Sequence, residues 1–180
     1  MFLKGIHDME IKTERLIIKP MGMEFLESTH KYASDIDNTK FMFSLPSDSI
    51  EDTKVFLKNC EEEWKKEKPA DCEFAIFKDD VHIGGVGFFL NEEYDTANIG
   101  WILNPDYHKC GYASEAAIAV INYAKEHLNI HHIIATCDTE NSSSENVMKR
   151  IGFTKVDCYG GRKNKSSDEE RQEYLYELFV

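Results

Sequence analysis

No stretch of this chain is apolar for the roughly 18 residues a bilayer-spanning helix needs. Its opening, MFLKGIHDMEIKTERL, is too charged, and too short in its apolar part, for a secretory leader. A cytoplasmic protein is the expectation. Cysteine is scarce and poorly spaced for structural chemistry: Cys60, Cys72, Cys110, Cys137 and Cys158 are an odd set with no CxxC pair. Reduced thiols, mostly filling the core, are expected rather than disulfides or a zinc site. The histidines form no HExxH or other paired-ligand pattern, and the adjacent His131 and His132 would point to opposite faces of an extended segment, so no metal is expected. No linker, internal repeat or low-complexity block divides the 180 residues, and one domain, 1–180, is expected. Basic charge is outnumbered: 21 Lys and Arg against 33 Asp and Glu give a net charge of −12. Such a field repels nucleic-acid phosphate and favours cationic partners.

What the chain does have is apolar and aromatic bulk. A hydrophobic fraction of 42% with 11 Phe, 8 Tyr and 2 Trp supports a packed globule. Residues 10–19 (EIKTERLIIK) read as one strand ended by Pro20. Phe25, Leu26, Thr29, Tyr32 and Ala33 recur at helical spacing, and Thr53, Phe56, Leu57, Cys60 and Trp64 form a second stripe whose start, Ser49 with Asp52, has the spacing of a capping box. Residues 72–78 and 81–90 read as a hairpin about Asp79-Asp80, with Gly84, Gly85 and Gly87 marking a bulge or a close backbone approach. A strand over 97–103 leads through Asn104-Pro105 into a helix with Ala113, Ala116, Ala117, Val120, Ile121, Ala124 and Leu128 on its apolar face. Residues 130–137 read as a buried strand, 141–151 as a short helix stopped by Gly152, and 153–156 and 174–180 as two last strands around the polar GGRKNKSSDEERQ. The fold class is mixed α/β.

The segment strand–NPDYHKCGYASEA–helix carries the chemistry. A glycine-bearing turn feeding a helix leaves backbone N–H groups without intrahelical partners where the helix dipole is positive, which suits a pyrophosphate. Gly111 permits the backbone angles and Ala113 the close approach. Locally, an ordinary strand-to-helix connection explains the segment equally well. No GxGxxG or GxxxxGK[ST] is present, so neither a dinucleotide fold nor an NTPase is supported.

Four blocks in order, TERLIIKP (13–20), IGWILNPDYHKCGYASEA, ATCDTEN and NSSSENVMKRIGF, make the chain resemble the GNAT acetyltransferase superfamily, in particular its branch of ribosomal-protein Ser/Ala N-acetyltransferases (RimJ/RimL-like). The resemblance covers residues 10–180 and implies a splayed central sheet of about seven strands flanked by about four helices. It also implies acetyl-coenzyme A as cosubstrate. The backbone of Trp101, Ile102 and Leu103 would pair with the pantetheine arm, the loop His108, Lys109, Cys110, Gly111, Tyr112, Ala113, Ser114 would hold the pyrophosphate, and Asn141 would bond the coenzyme. Asn141 reads equally as a helix N-cap. His108 stands where the family has Gln or Arg. Coenzyme A is an anion, so in this acidic chain local dipoles must hold it.

Two customary catalytic positions differ. Many relatives have Glu where this chain has Asn98, which takes no proton, and Tyr where it has Met148. Glu73, His82, Glu92, Glu93 and Asp95 are candidate replacements for the base, each read first as surface. Ser144 matches a serine of the ribosomal-protein branch and would stabilise the leaving thiolate, with helix capping as the competing role. Cys110 has no evident base beside it, and the resemblance implies direct transfer rather than an acyl-enzyme. The function expected is acetyl transfer to a primary amine, a protein N-terminus or a small molecule. The alternative is a non-catalytic acyl-CoA-binding regulatory domain. A homodimer is compatible with the sequence; nucleic acid and membrane are not implied.

Overall fold

The computed structural model describes residues 9–180. The leader reading rests partly on residues 1–8, outside that range. One eight-stranded sheet runs through the described residues in the order β1-β2-β3-β4-β5-β6-β8-β7. Its strands are β1 (Ile11–Lys12), β2 (Ile17–Pro20), β3 (Asp71–Lys78), β4 (Val81–Leu90), β5 (Thr96–Leu103), β6 (His132–Asp138), β7 (Thr154–Lys163) and β8 (Glu170–Phe179). Five α-helices accompany them: α1 (Leu26–Ala33), α2 (Ile36–Thr39), α3 (Ile50–Trp64), α4 (Tyr112–Leu128) and α5 (Ser142–Arg150). All neighbouring strands are antiparallel except β5 and β6, the pair that α4 connects. None of the described helices is long and apolar enough to cross a membrane.

The mixed α/β class holds, with one more strand and one more helix than expected. The single strand over 10–19 is a hairpin: Thr13 turns the chain, its N–H donating to the Leu16 carbonyl (3.0 Å) and its Oγ1 accepting from the Leu16 N–H (2.9 Å). A competing side-chain bond of this kind breaks a strand that β-branched content alone suggests. The polar stretch before Tyr174 is largely strand, not loop. It forms the outer part of a hairpin whose edge strand β7 is exposed at nearly every position, so no apolar alternation marks it. The extra helix, α2, is a single turn capped by Asp35, which accepts from the Asn38 N–H (3.1 Å).

Elsewhere local chemistry and fold agree. Ser49 and Asp52 form the reciprocal capping box that starts α3 (3.3 and 3.0 Å). Gly152, at φ +96°, lets the Phe153 N–H reach back to the Met148 carbonyl (3.0 Å) and close α5. The β3–β4 register shifts between Ile76 and Phe77, leaving Ile83 as the extra residue beside Gly84. Three cysteines, Cys60, Cys72 and Cys137, are buried; Cys110 and Cys158 are exposed.

Strand alternation sorts the side chains onto two faces. Phe74, Phe88, Ile99, Ile133 and Ala135 join Ala117, Val120, Ala124 and Met148 in the main core, under α4 and α5. On the other face α1 and α3 cover Met21 and Ala75 but leave β5 and β6 uncovered, where Asn98 and Gly100 are exposed.

Candidate active site

β5 and β6 part company. They pair at Thr96–His132, Ala97–Ile133 and Asn98–Ile134, and no pair follows, although both strands run on for four residues or more. The gap exposes backbone groups whose identity follows from alternation. Asn104 donates its N–H to Ile83 (2.8 Å), so Ile102, Gly100 and Asn98 turn their peptides toward β4, while Leu103, Trp101 and Ile99 turn theirs into the gap. Across it, Val180 bonds the His131 carbonyl (2.9 Å), which leaves Ile134 and Thr136 facing inward. Of the three β5 residues expected to pair with a pantetheine arm, Trp101 has both backbone groups unpaired among the described residues. Leu103 keeps only its N–H, because its carbonyl accepts from Asn38 Nδ2 and His108 Nε2 (both 3.1 Å). Ile102 is the correction: its peptide belongs to the β4 ladder.

Beyond the gap, Asn104 caps the turn Pro105–Tyr107 by accepting from the Asp106 N–H (3.1 Å). The chain then reaches α4 through Lys109 at φ +61° and Gly111 at φ +83°. These angles turn successive amides outward. The six N–H groups from Lys109 to Ser114 have no acceptor among the described residues, whereas the Glu115 N–H is the first to bond, to the Gly111 carbonyl (3.1 Å). The Ser114 hydroxyl is also buried without a partner among the described residues. Orphan donors at a helix N-terminus are what an anion needs. His108 has a structural contact of its own: its Nε2 binds the Leu103 carbonyl and ties the loop to the end of β5.

Two arginines to which the sequence gave no role stand beside the loop. Arg15 Nη2 and Arg150 Nη1 lie 3.4 and 3.9 Å from where a Gly111 Cβ would be. Arg15 also donates to the Cys110 carbonyl (3.0 Å), lies over the Tyr112 ring and bonds Glu115, which accepts from Thr13 as well (2.6 Å). Burial works against ionisation of Glu115, but these bonds outweigh it and hold its carboxyl below the ordinary range. The TERL block therefore fastens the β1–β2 turn to the start of α4. Arg15 lies in the TERLIIKP block and Arg150 in the NSSSENVMKRIGF block, but neither block says that the two meet at this loop.

On the far side of the gap, Asn141 caps α5, accepting from the Ser144 N–H (3.1 Å). Its amide nitrogen makes no bond among the described residues, so the cap leaves it open to a second partner. Ser144 is half-buried, one turn before the fully buried Met148.

The candidate bases separate clearly. His82 is buried, with Nε2 bound to the Gly84 carbonyl (2.9 Å) and Nδ1 to Ser28 Oγ (2.7 Å); burial pulls it down to about 4, so it is a neutral packing group. Glu92, Glu93 and Asp95 lie in the exposed β4–β5 turn, where Asp95 is held low by bonds from Asn91 and Thr96. Glu73 differs. Half-buried on the face that α1 and α3 partly cover, it is pushed up to about 8 by burial and by the nearby Asp71. A separate groove of about 610 Å³ between β1 and α4 lies away from the gap.

Comparison with known proteins agrees with this geometry. Residues 15–154 match the model of the acetyltransferase (GNAT) domain. The N-acetyltransferase YnaD of Bacillus subtilis is 36% identical over 148 residues, 81% of this chain and 82% of that one. A crystal structure of a GNAT-family acetyltransferase from Bacillus anthracis superposes with a TM-score of 0.81 at 32% identity, covering 95% of this chain and 98% of its own. RimL, a ribosomal L7/L12 α-N-protein acetyltransferase solved with coenzyme A, shares the fold at a TM-score of 0.85 and 16% identity, over 96% and 98% of the two chains. With a split between β5 and β6, an outward-turned amide loop at the head of α4, and a family match over most of its length, the chain belongs to the GNAT acetyltransferase family.

Proposed function

We propose that this N-acetyltransferase takes its acetyl group from acetyl-coenzyme A, held by its diphosphate on the 109–114 amides, and passes it to a primary amine. The observation that carries the reading is the run of six unpartnered N–H groups next to the β5–β6 gap. The residues fit the group. The loop supplies donors, Arg15 and Arg150 supply positive charge, and the free edges of Trp101 and Thr136 supply strand-like partners for an amide-bearing arm. When bound, the coenzyme presents an acetyl thioester to be attacked. The Asn141 amide and the Ser144 hydroxyl lie at the α4–α5 side, where Ser144 would donate a hydrogen bond to the departing sulfur. The amine enters from the opposite face, over Asn98 and Gly100, which α1 and α3 leave open.

Acceptors of two kinds suit this face: a protein N-terminal α-amine and a small polyamine-like molecule, both cationic and both drawn to an acidic protein. Names of the relatives favour catalysis over a bare acyl-CoA-binding role. The deciding experiment follows thiol release from acetyl-coenzyme A in the presence of Ser- and Ala-initiated peptides, polyamines and aminoglycosides. Release with at least one amine is expected. Calorimetric binding of acetyl-coenzyme A without release on the whole panel would return the chain to a binding role.

A further inference from the structure

Glu73, Gly87 and Gly100 stand in one row across three strands, paired Glu73–Gly87 and Gly87–Gly100, on the face that α1 and α3 only partly cover. The Glu73 carboxyl lies across Gly87, occupying the space where any side chain at 87 would stand. A Cβ at Gly100 would meet nothing within 4 Å. The two glycines thus clear a lane from the carboxyl to the strand that borders the gap, and neighbouring strands here are only about 5 Å apart. The carboxylate has no ion pair or side-chain hydrogen bond among the described residues, so nothing on the protein competes for it. The titratable groups that face it are Asp71 on its own strand, Tyr32 from α1 and Cys60 from α3. None of the three is a cation.

We propose that Glu73 is the catalytic base for the incoming amine, reaching it over Gly87 and replacing the carboxylate that Asn98 does not supply. This rests on the acetyltransferase reading above. The ammonium of an acceptor seated over Gly100 gives one proton to the Glu73 carboxylate, directly or through one water. The neutral nitrogen then forms its bond to the acetyl carbonyl carbon as the carbon–sulfur bond breaks. The second nitrogen proton goes to the released thiolate, and Glu73 returns its proton to solvent. The lifted proton affinity of Glu73 matches that of an α-amine, near 8, so transfer between them is close to balanced.

The test measures turnover against pH and, separately, acetyl-coenzyme A binding by calorimetry, for the wild type, Glu73→Gln and Gly87→Ala. Glu73→Gln should lower kcat about 10²-fold near neutral pH, with the deficit shrinking as pH passes the amine's own pKa, and should bind acetyl-coenzyme A as tightly as the wild type. Gly87→Ala should also lower kcat with coenzyme affinity intact, because its methyl displaces the carboxyl; it reports on the geometry even if Glu73→Gln folds poorly. A folded Glu73→Gln protein that turns over within twofold of wild type, or Gly87→Ala with an unchanged pH profile, overturns Glu73 as the base and leaves the acetyltransferase reading standing. A wild type that acetylates no amine removes both.

Discussion

Gly111 shows how much one residue's backbone decides here. Its φ of +83° is open to glycine, but for a β-branched residue it costs about 1–2 kcal/mol, and the guanidinium of Arg15 sits within van der Waals reach of any added carbon. Gly111→Val should weaken acetyl-coenzyme A binding roughly 5- to 30-fold by calorimetry; equal affinity would mean the anion is held elsewhere. Ser144 makes the opposite prediction. Its hydroxyl makes no hydrogen bond among the described residues, so Ser144→Ala should leave coenzyme affinity and melting temperature near wild type while kcat falls by about 10²-fold, the effect of losing one donor to developing charge. Glu73 adds a pH signature that needs no substrate. Its folded-state pKa is raised from 4.5 to about 8, so the folded protein holds that proton more tightly than the unfolded chain. Its contribution is then complete below about pH 4.5 and is lost as pH rises through 8. Asp71, raised to about 6 by burial and Glu63, acts in the same direction over a lower range. Thermal melting from pH 5 to 9 should therefore show a decline that Glu73→Gln reduces, with the variant gaining stability over wild type above pH 8.

At the scale of elements, the N-cap of α5, Asn141, is where helix stability and the proposed coenzyme contact meet. Asn141→Ala removes the cap on Ser144 and should cost about 1 kcal/mol. Asn141→Asp keeps the capping oxygen but loses the amide hydrogens and adds negative charge, so it should melt near wild type and bind acetyl-coenzyme A less tightly. If both variants bind the coenzyme normally, Asn141 is a cap and nothing more. The same element shows what the sequence makes legible. Caps and stops are written in short-range chemistry, and Ser49, Asp52, Asn141 and Gly152 each do in the fold what their spacing implies. So does Gly111. What stayed hidden depends on partners far along the chain. The Thr13 turn is set by a side-chain bond that β-propensity does not report. β7 lacks apolar alternation because it is an edge strand exposed at nearly every position. Glu73 was one acidic residue among five candidates until pairing placed it in a row with two glycines, and Arg150 became notable only beside a loop about forty residues earlier.

At the scale of the molecule, the segment between α1 and α3 that borders the open face is pinned from the far end of the sheet. Arg162, only 7% exposed, binds Glu173, donates to Asn164 Oδ1 (2.9 Å) and to the Phe41 carbonyl (2.6 Å), and packs on the Phe43 ring. Asn164 donates in turn to Asp138 (2.7 Å), which Arg171 also binds (2.6 Å). Burial alone would raise Asp138, but the bonds from Arg171, the Glu140 N–H and Asn164 prevail and keep it low, so it is a standing anion at the end of β6. A buried charge stripped of its partner is expensive, and Arg162→Ala should cost about 3–5 kcal/mol, a fall in melting temperature large enough to obscure any effect on activity. Lys165 offers the cleaner probe. Its N–H bonds the Met42 carbonyl (2.9 Å) and its Nζ the Pro46 carbonyl (2.6 Å) and Asp48 (2.9 Å), so the backbone tie survives a change of side chain. Lys165→Met should release only the 46–48 end of the segment. It should melt within a few degrees of wild type, because a partly exposed pair contributes at most about 1 kcal/mol. If the segment walls the acceptor site, KM for the amine rises severalfold while acetyl-coenzyme A, whose proposed place is the gap and the 109–114 loop, keeps its affinity. Equal changes in both constants would mean the hairpin braces the whole sheet rather than the acceptor's side of it.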